Sequence, residues 1–397
     1  MSGADTKKTY ARSVAVDKVA IIGVAQTKYQ RENPASHAEM AYEVTCKALE
    51  DAGLTIDDID NTITVCNDFW DGRTISCMTI TEATGSNRVP TTNVEGDGTY
   101  GALMGAMRLL SGLHKVTLVV AQSKASQGIP QVIANAMFDP VYERVLGLDA
   151  INSSALQMRS YMAEYGITEE QCAKVSVKNH RNAKANPYAH MPLDITVDDV
   201  LKSRVLAEPI KLLDASPVSD GACAIIMADE ETANRRCSKP VWVMGVGHCA
   251  DAYHLGDRDL AGVEALVSAA KRAYRMAGIK DPVKEIDVAE IYDAFSYMEL
   301  MWLEGLGFCG RGEGGLVVDS GMMDMNGGLP VNPSGGVLSA HAVQAAGLAR
   351  IAEAVLQLRG EAGGRQVEGA KVALAHGIEG ACGQGHCVFV LGSQNTG

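Results

Sequence analysis

Val19-Ala20-Ile21-Ile22-Gly23-Val24-Ala25 is a β-branched run closed by small residues, the pattern of a buried strand. A helical stretch follows over 37–51 and stops at Ala52-Gly53, where glycine suits a left-handed helix end. Residues 56–65 then return to strand. The same order comes back in the second half of the chain. Val241-Trp242-Val243-Met244-Gly245-Val246-Gly247 repeats the first run, and a helix over 263–277 ends at Ala277-Gly278-Ile279 as the first ends at Ala52-Gly53-Leu54. Residues 286–291 supply the second strand. Strand, helix, Ala-Gly stop and strand, met twice, predict two copies of one α/β unit.

Between the copies, 123–217 breaks this rhythm. A helix is expected over 169–185, before Asn186-Pro187-Tyr188-Ala189-His190-Met191-Pro192. An insertion of such length is more often functional than idle. The expected division is therefore 1–122 with 218–237 as the first half, 123–217 as an insertion, and 238–397 as the second half.

The 397 residues are 47% hydrophobic and 21% charged, a globular composition with enough apolar surface for a large core. A net charge of −13 argues against a general attraction to nucleic acid or an anionic membrane. No apolar run reaches the ~18 residues of a membrane span, and residues 1–10 lack the apolar centre of a secretory signal. The expected location is the cytoplasm. Ten cysteines, at 46, 66, 77, 172, 223, 237, 249, 309, 382 and 387, form no Cys-x-x-Cys pair and no structural-zinc spacing, so they read as reduced thiols, with no metal expected in this chain.

Three glycine-rich or polar stretches carry the candidate chemistry. Val94-Glu95-Gly96-Asp97-Gly98-Thr99-Tyr100-Gly101-Ala102 follows a strand over 91–94 and precedes a helix over 102–110. Glu290-Ile291-Tyr292-Asp293-Ala294-Phe295 follows the last strand of the repeat. Asn332-Pro333-Ser334-Gly335-Gly336 runs on to Ser339-Ala340-His341. Together these resemble the active-site loops of the thiolase superfamily, especially the sterol-carrier-protein type and its lipid-transfer-like relatives. Leu213-Asp214-Ala215-Ser216-Pro217-Val218-Ser219-Asp220-Gly221-Ala222 resembles the family stretch that leads from the insertion back into the core.

The resemblance implies a five-layered α-β-α-β-α fold of two similar halves, with the insertion as a loop domain covering coenzyme A. It also implies where chemistry sits. The position of the family's acylated cysteine falls on Gly98, which offers no thiol and would let a substrate or CoA sulfur approach the backbone. His341 falls where the family keeps the histidine that deprotonates the nucleophile. Tyr292 stands in place of the family's His or Asn beside the oxyanion hole. In the hairpin His376-Gly377-Ile378-Glu379-Gly380-Ala381-Cys382-Gly383-Gln384-Gly385-His386 the family's acid/base cysteine position falls near Glu379, with Cys382 three residues on. Either is a candidate α-carbon base, while His376 and His386 are weaker ones. Gly98, Asn332, Gly335, Gly336 and Gly383 are expected to bind substrate or CoA.

Without a cysteine nucleophile an acyl-enzyme is not expected. The reading leans to CoA-dependent thiolytic cleavage of an aryl, branched or succinyl-type 3-oxoacyl-CoA, as in benzoylsuccinyl-CoA thiolase. Its alternatives are retro-aldol cleavage of a 3-hydroxyacyl-CoA, as in steroid side-chain aldolases, and a non-catalytic acyl-CoA or lipid carrier. The resemblance further implies a homodimer continued through the strand at 116–121 and a small zinc-ribbon and OB-fold partner protein. Asn67-Asp68-Phe69-Trp70-Asp71-Gly72-Arg73 offers aromatics and an arginine to a substrate, or simply a packed surface.

Overall fold

The computed structural model describes residues 18–394, so the polar leader at 1–10 lies outside the described residues. The first copy of the repeat is strand β1 (Val19–Gln26), helix α1 (His37–Ala52) and strand β2 (Asn61–Val65). Ser36 caps α1 in a reciprocal box with Glu39, and Gly53 ends it at φ 63°, as its sequence demands. Residues 56–58 are a single 3-10 turn, so the expected strand there starts only at Asn61. Strand β3 (Thr91–Val94), helix α2 (Gly98–Leu110), strand β4 (Val116–Lys124) and strand β5 (Asp220–Asp229) complete the first half. Helices α3 (Ala150–Tyr165) and α4 (Glu169–Ala183) belong to the stretch between β4 and β5.

The second half runs through β6 (Val241–Ala250), helix α5 (Glu264–Ala277), β7 (Val288–Glu290), helix α6 (Ser296–Gly305), helix α7 (Ala346–Arg359), β8 (Val372–Glu379) and β9 (Gly385–Gly392). The sheet order is β3-β2-β4-β5-β1-β6-β9-β8-β7. Its two halves mirror one another. β2 and β4 pair parallel as β7 and β8 do, and the next two pairings from each toward the centre of the sheet are antiparallel in both halves. Within the sheet the halves join where Ala20 and Ile21 of β1 meet Trp242 and Val241 of β6.

Alternation along the strands sorts the core into three layers of apolar contact. On β5, Ala222, Ala224, Ile226 and Ala228 pack with Met40, Ala41 and Val44 of α1, while Cys223, Ile225 and Met227 face inward. That inner layer holds Ala102, Ala106 and Leu109 of α2 with Leu348, Ile351 and Val355 of α7, between the two halves of the sheet. Outside the second half, Leu266, Ala269 and Ala273 of α5 meet Val388 and Val390 of β9. Glycine permits the closest approach there: a Cβ on Gly247 would stand 2.1 Å from the Ala269 carbonyl oxygen. Helix, sheet, inner helices, sheet and helix make the five expected layers.

One expectation fails in this topology. The strand at 116–124 lies between β2 and β5, with both sides hydrogen-bonded, so it cannot extend the sheet into a second copy. The free edge of the first half is β3, bonded on one side only.

Candidate active site

The mirrored halves bring the starts of α2 and α7 together, and a single carboxylate joins them. Asp97 caps α2, accepting from the Thr99 backbone N–H at 2.9 Å and its hydroxyl at 2.5 Å. Its other oxygen accepts from the Gly347 N–H in the first turn of α7 at 2.8 Å. This cap explains why the helix begins at Gly98 rather than at 102. A Cβ on Gly347 would stand 1.9 Å from the Asp97 carboxylate, so that residue is confined to glycine. Burial pushes the Asp97 carboxyl up to about 6 against the lowering hydrogen bonds.

A cavity of about 560 Å³ opens beside this junction. Its polar end is formed by Asp97, Tyr292, His341, Gln344, Glu379 and Ser216. The stretch between β4 and β5 contributes apolar side chains, among them Met137, Ile151 and Leu206, and Phe295 and Met298 line it from the second half. Such a mix of apolar wall and few convergent polar groups is the usual character of a small-molecule site.

The Tyr292 hydroxyl lies 2.7 Å from His341 Nε2, and Ser216 Oγ lies 2.8 Å from His341 Nδ1. Burial pushes the imidazole down to about 4, so it is neutral near pH 7. Burial first, and Asp97 next, push the Tyr292 phenol well above its ordinary range. With both groups neutral, the tautomer sets the direction of the chain: in the Nδ1–H form Tyr292 donates to Nε2, and Nδ1–H donates to Ser216. The His341 backbone is fixed by reciprocal bonds with Ser219, 3.1 Å from its N–H to the Ser219 hydroxyl and 3.0 Å from the Ser219 N–H to its carbonyl.

Behind Tyr292, Trp302 Nε1 donates to its carbonyl at 2.8 Å, and its N–H points to His376 Nδ1 at 3.4 Å. His376 Nε2 in turn contacts His386 Nδ1 at 3.0 Å. Burial keeps both imidazoles uncharged, with His386 pushed down to about 3. Neither histidine is on the cavity wall; they support the main chain of Tyr292.

Glu379 ends β8 with its carboxylate against Gly96, where φ is 136° and a Cβ would stand 2.4 Å from Oε2. Burial, then Asp97, push the Glu379 carboxyl up to about 7. Cys382 sits in the hairpin at φ 56°, its carbonyl accepting from Gln157 Nε2 at 3.2 Å. Burial pushes its thiol up to about 11, so it is protonated at neutral pH. Of the two candidate bases left open by the sequence, both reach the cavity and only Glu379 exchanges a proton near pH 7.

Gly98, Asn332, Gly335, Gly336 and Gly383 are absent from the cavity wall. The α-carbon of Gly98 faces α7, where a Cβ would stand 2.4 Å from Leu348 Cβ and 2.8 Å from its N, so glycine is required there for the two helices to meet. Asn332, at φ 52°, donates to Glu299 at 2.9 Å and accepts from the Ile291 N–H at 2.8 Å. Gly336 makes room for Asp293, whose carboxylate would lie 2.4 Å from a Cβ there, and a Cβ on Gly335 would stand 2.7 Å from that of Ala183. Gly383 packs on the Trp302 ring. These residues shape the loops that hold Tyr292 and His341. Near the cavity mouth, Asn67 and Trp70 line the wall, whereas Phe69 and Arg73 are exposed and do not.

Ser216, Asp97 and Gln344 were not singled out by sequence. Ser216 lay within the quoted family-like stretch and Asp97 within the glycine-rich turn, but nothing local shows what each touches. Among the described residues no three His, Cys, Asp or Glu side chains are grouped to hold a metal ion, and no helix is long and apolar enough to cross a membrane.

Residues 19–231 match the family described as thiolase, N-terminal domain, and 247–393 match thiolase C-terminal domain-like. The chain is 38% identical to the acetyl-CoA acetyltransferase of Methanothermobacter thermautotrophicus over 92% of this chain and 97% of that protein. It is 31% identical to the benzoylsuccinyl-CoA thiolase subunit BbsB of Thauera aromatica, covering 92% and 95%, and 33% identical to human sterol carrier protein 2, covering 92% and 70%. Among solved structures, an Ltp2-ChsH2(DUF35) aldolase superposes with a TM-score of 0.83 at 26% identity, over 94% of this chain and 97% of that one. Two inner helices meeting at a cavity between mirrored halves, and likeness of this extent, place the chain in the thiolase superfamily of acyl-CoA acyltransferases, in its sterol-carrier-protein type.

Proposed function

We propose that this protein cleaves and forms a carbon–carbon bond in an acyl-CoA without an acyl-enzyme, and that the cleavage is a retro-aldol reaction of a 3-hydroxyacyl-CoA. The observation that carries this reading is the 2.7 Å bond between Tyr292 and His341 Nε2. It commits the histidine nitrogen to a phenol, the group suited to accept a proton from a substrate hydroxyl. The hydroxyl proton passes to the Tyr292 oxygen as the phenol proton passes to His341. The bond between the α and β carbons breaks, leaving a ketone or aldehyde and a thioester enolate. Glu379, as the acid, delivers a proton to the α carbon and releases acyl-CoA; the proton on His341 returns to Glu379 through solvent. Coenzyme A takes part as the thioester of the substrate, and the apolar insertion wall suits its acyl chain.

The thiolytic reading favoured from sequence uses the same cavity, with the CoA thiol giving its proton to His341 and attacking a 3-oxo group. Its support is the likeness to a benzoylsuccinyl-CoA thiolase subunit. The two readings part on one reagent. Purified protein, with and without a small zinc-ribbon and OB-fold partner of the kind suggested by the DUF35-containing neighbour, is incubated with 3-hydroxyacyl-CoA and 3-oxoacyl-CoA panels. Cleavage of the 3-hydroxy compounds without free CoA is expected. Cleavage of 3-oxo compounds that stops when free CoA is withdrawn would replace the aldol reading by thiolysis, and binding with no cleavage in any combination would leave an acyl-CoA carrier.

A homodimer belongs to this reading, through β3 instead of the strand expected from sequence. The β3 edge is bonded on one side only, and Met107 in α2 and Leu113 just past its end are exposed apolar side chains, of the kind a two-fold contact covers. Light scattering should give twice the 42.0 kDa chain mass, falling to one chain in Leu113→Glu. A wild-type protein of single-chain mass at micromolar concentration removes this part.

A further inference from the structure

We infer that the Gln344 side chain holds the thioester oxygen of the substrate, in place of the backbone N–H groups at the starts of the two inner helices. The inference rests on the reading of an enolate-forming acyl-CoA enzyme and adds a specificity-determining group to it. A thioester whose α carbon is to carry charge needs hydrogen-bond donors at its oxygen, and helix N-termini are a ready source. Here that source is closed. The Thr99 and Gly347 N–H groups both turn to the Asp97 carboxylate, which is itself an acceptor and repels an anion.

Gln344 stands in the same corner. It lies in the turn before α7, three residues past His341, and its carbonyl oxygen would be 3.1 Å from a Cβ on Gly98. Its side chain is 1% exposed and on the cavity wall. Neither Nε2 nor Oε1 has a hydrogen-bond partner within the protein. A primary amide buried with both ends unpaired is costly and uncommon, and is accounted for when a ligand supplies the missing partner. The Tyr292 hydroxyl is engaged with His341, and the Gln344 amide is a wall group of the polar end whose N–H groups have no partner within the protein. The recognised chemistry is a thioester carbonyl, becoming an enolate oxygen.

The test uses Gln344→Met, which keeps length and apolar packing, and Gln344→Ala as a second variant, each checked for an unchanged melting temperature. Acetyl-CoA is compared with its thioether S-ethyl-CoA, which lacks the carbonyl, by calorimetric titration. Wild type is expected to bind the thioester more tightly, and both variants to lose about tenfold for acetyl-CoA and nothing for S-ethyl-CoA. Exchange of the acetyl-CoA methyl protons into D₂O, followed by mass, should fall by about 10² to 10³, the usual effect of deleting one oxyanion donor. Equal losses for both ligands would assign Gln344 a packing role and overturn the inference, as would unchanged thioester affinity. A wild type that discriminates the two ligands through Gln344 yet neither exchanges nor cleaves would sink the enolate chemistry while leaving the carbonyl contact in place.

Discussion

Tyr292→Phe is expected to lower kcat for carbon–carbon cleavage by about 10³-fold, within the range of an ablated proton-transfer group, while acyl-CoA affinity stays within a few-fold. The phenol is buried and donates to a histidine that burial keeps neutral, so removing it leaves the substrate hydroxyl with no route for its proton. The ring itself remains supported, since Trp302 and His376 hold only the main chain of residue 292. The lost hydrogen bond should therefore cost stability by only about 1 kcal/mol. The same substitution separates the two chemistries. In a thiolytic mechanism Tyr292→Phe frees His341 Nε2 to take a thiol proton, and turnover would survive. Single-turnover rates of the variant on a 3-hydroxyacyl-CoA within fivefold of wild type would dispose of the phenol as the proton acceptor.

Local features of the fold were legible because they are decided locally. Gly53 and Gly278 end α1 and α5 in left-handed geometry, as their sequence setting demands, and the mirrored pairing of the two halves is the physical form of the repeated strand and helix pattern. What depends on distant contacts was not legible. The strand at 116–124 is apolar enough for an edge or a centre, and only the arrival of β5 from beyond residue 219 puts it in the centre. The glycines after Asn332 were read as binding positions through the family-like stretch that holds them, and what sequence did not show is that a Cβ there would meet Asp293 and Ala183. Ser216 and His341 are 125 residues apart and 2.8 Å in space. The stretch holding Ser216 was marked as a family-like connection, yet no residue type in it signals which side chain it will orient. Tyr292 and His341 were visible through resemblance alone, and their direct bond only through the fold.

Glu379→Gln should have the second large effect, and its pH dependence identifies the role. Delivery of a proton to the α carbon needs the acid form. With the carboxyl pushed up to about 7, cleavage should fall tenfold per unit as pH rises above that value, while condensation, which needs the carboxylate to take the α proton, should fall as pH drops below it. The amide variant should lose about 10² to 10³ in both directions and lose both limbs from the rate profiles. Stability gives an independent reading with the opposite sense. A carboxyl whose folded pKa lies above its ordinary 4.5 favours the fold while protonated. Its contribution is complete below about pH 4.5 and is lost as pH rises through about 7. Glu379→Gln has no charge to desolvate, so its melting temperature should exceed that of wild type at pH 8 and match it near pH 4. Equal melting temperatures at both pH values would show that the carboxyl is not held up by burial. The acid would then have to come from Asp97, which shares the cavity and is pushed up to about 6, and Asp97→Asn would carry the rate loss, together with a stability loss from uncapping α2 and α7 that Glu379→Gln cannot cause.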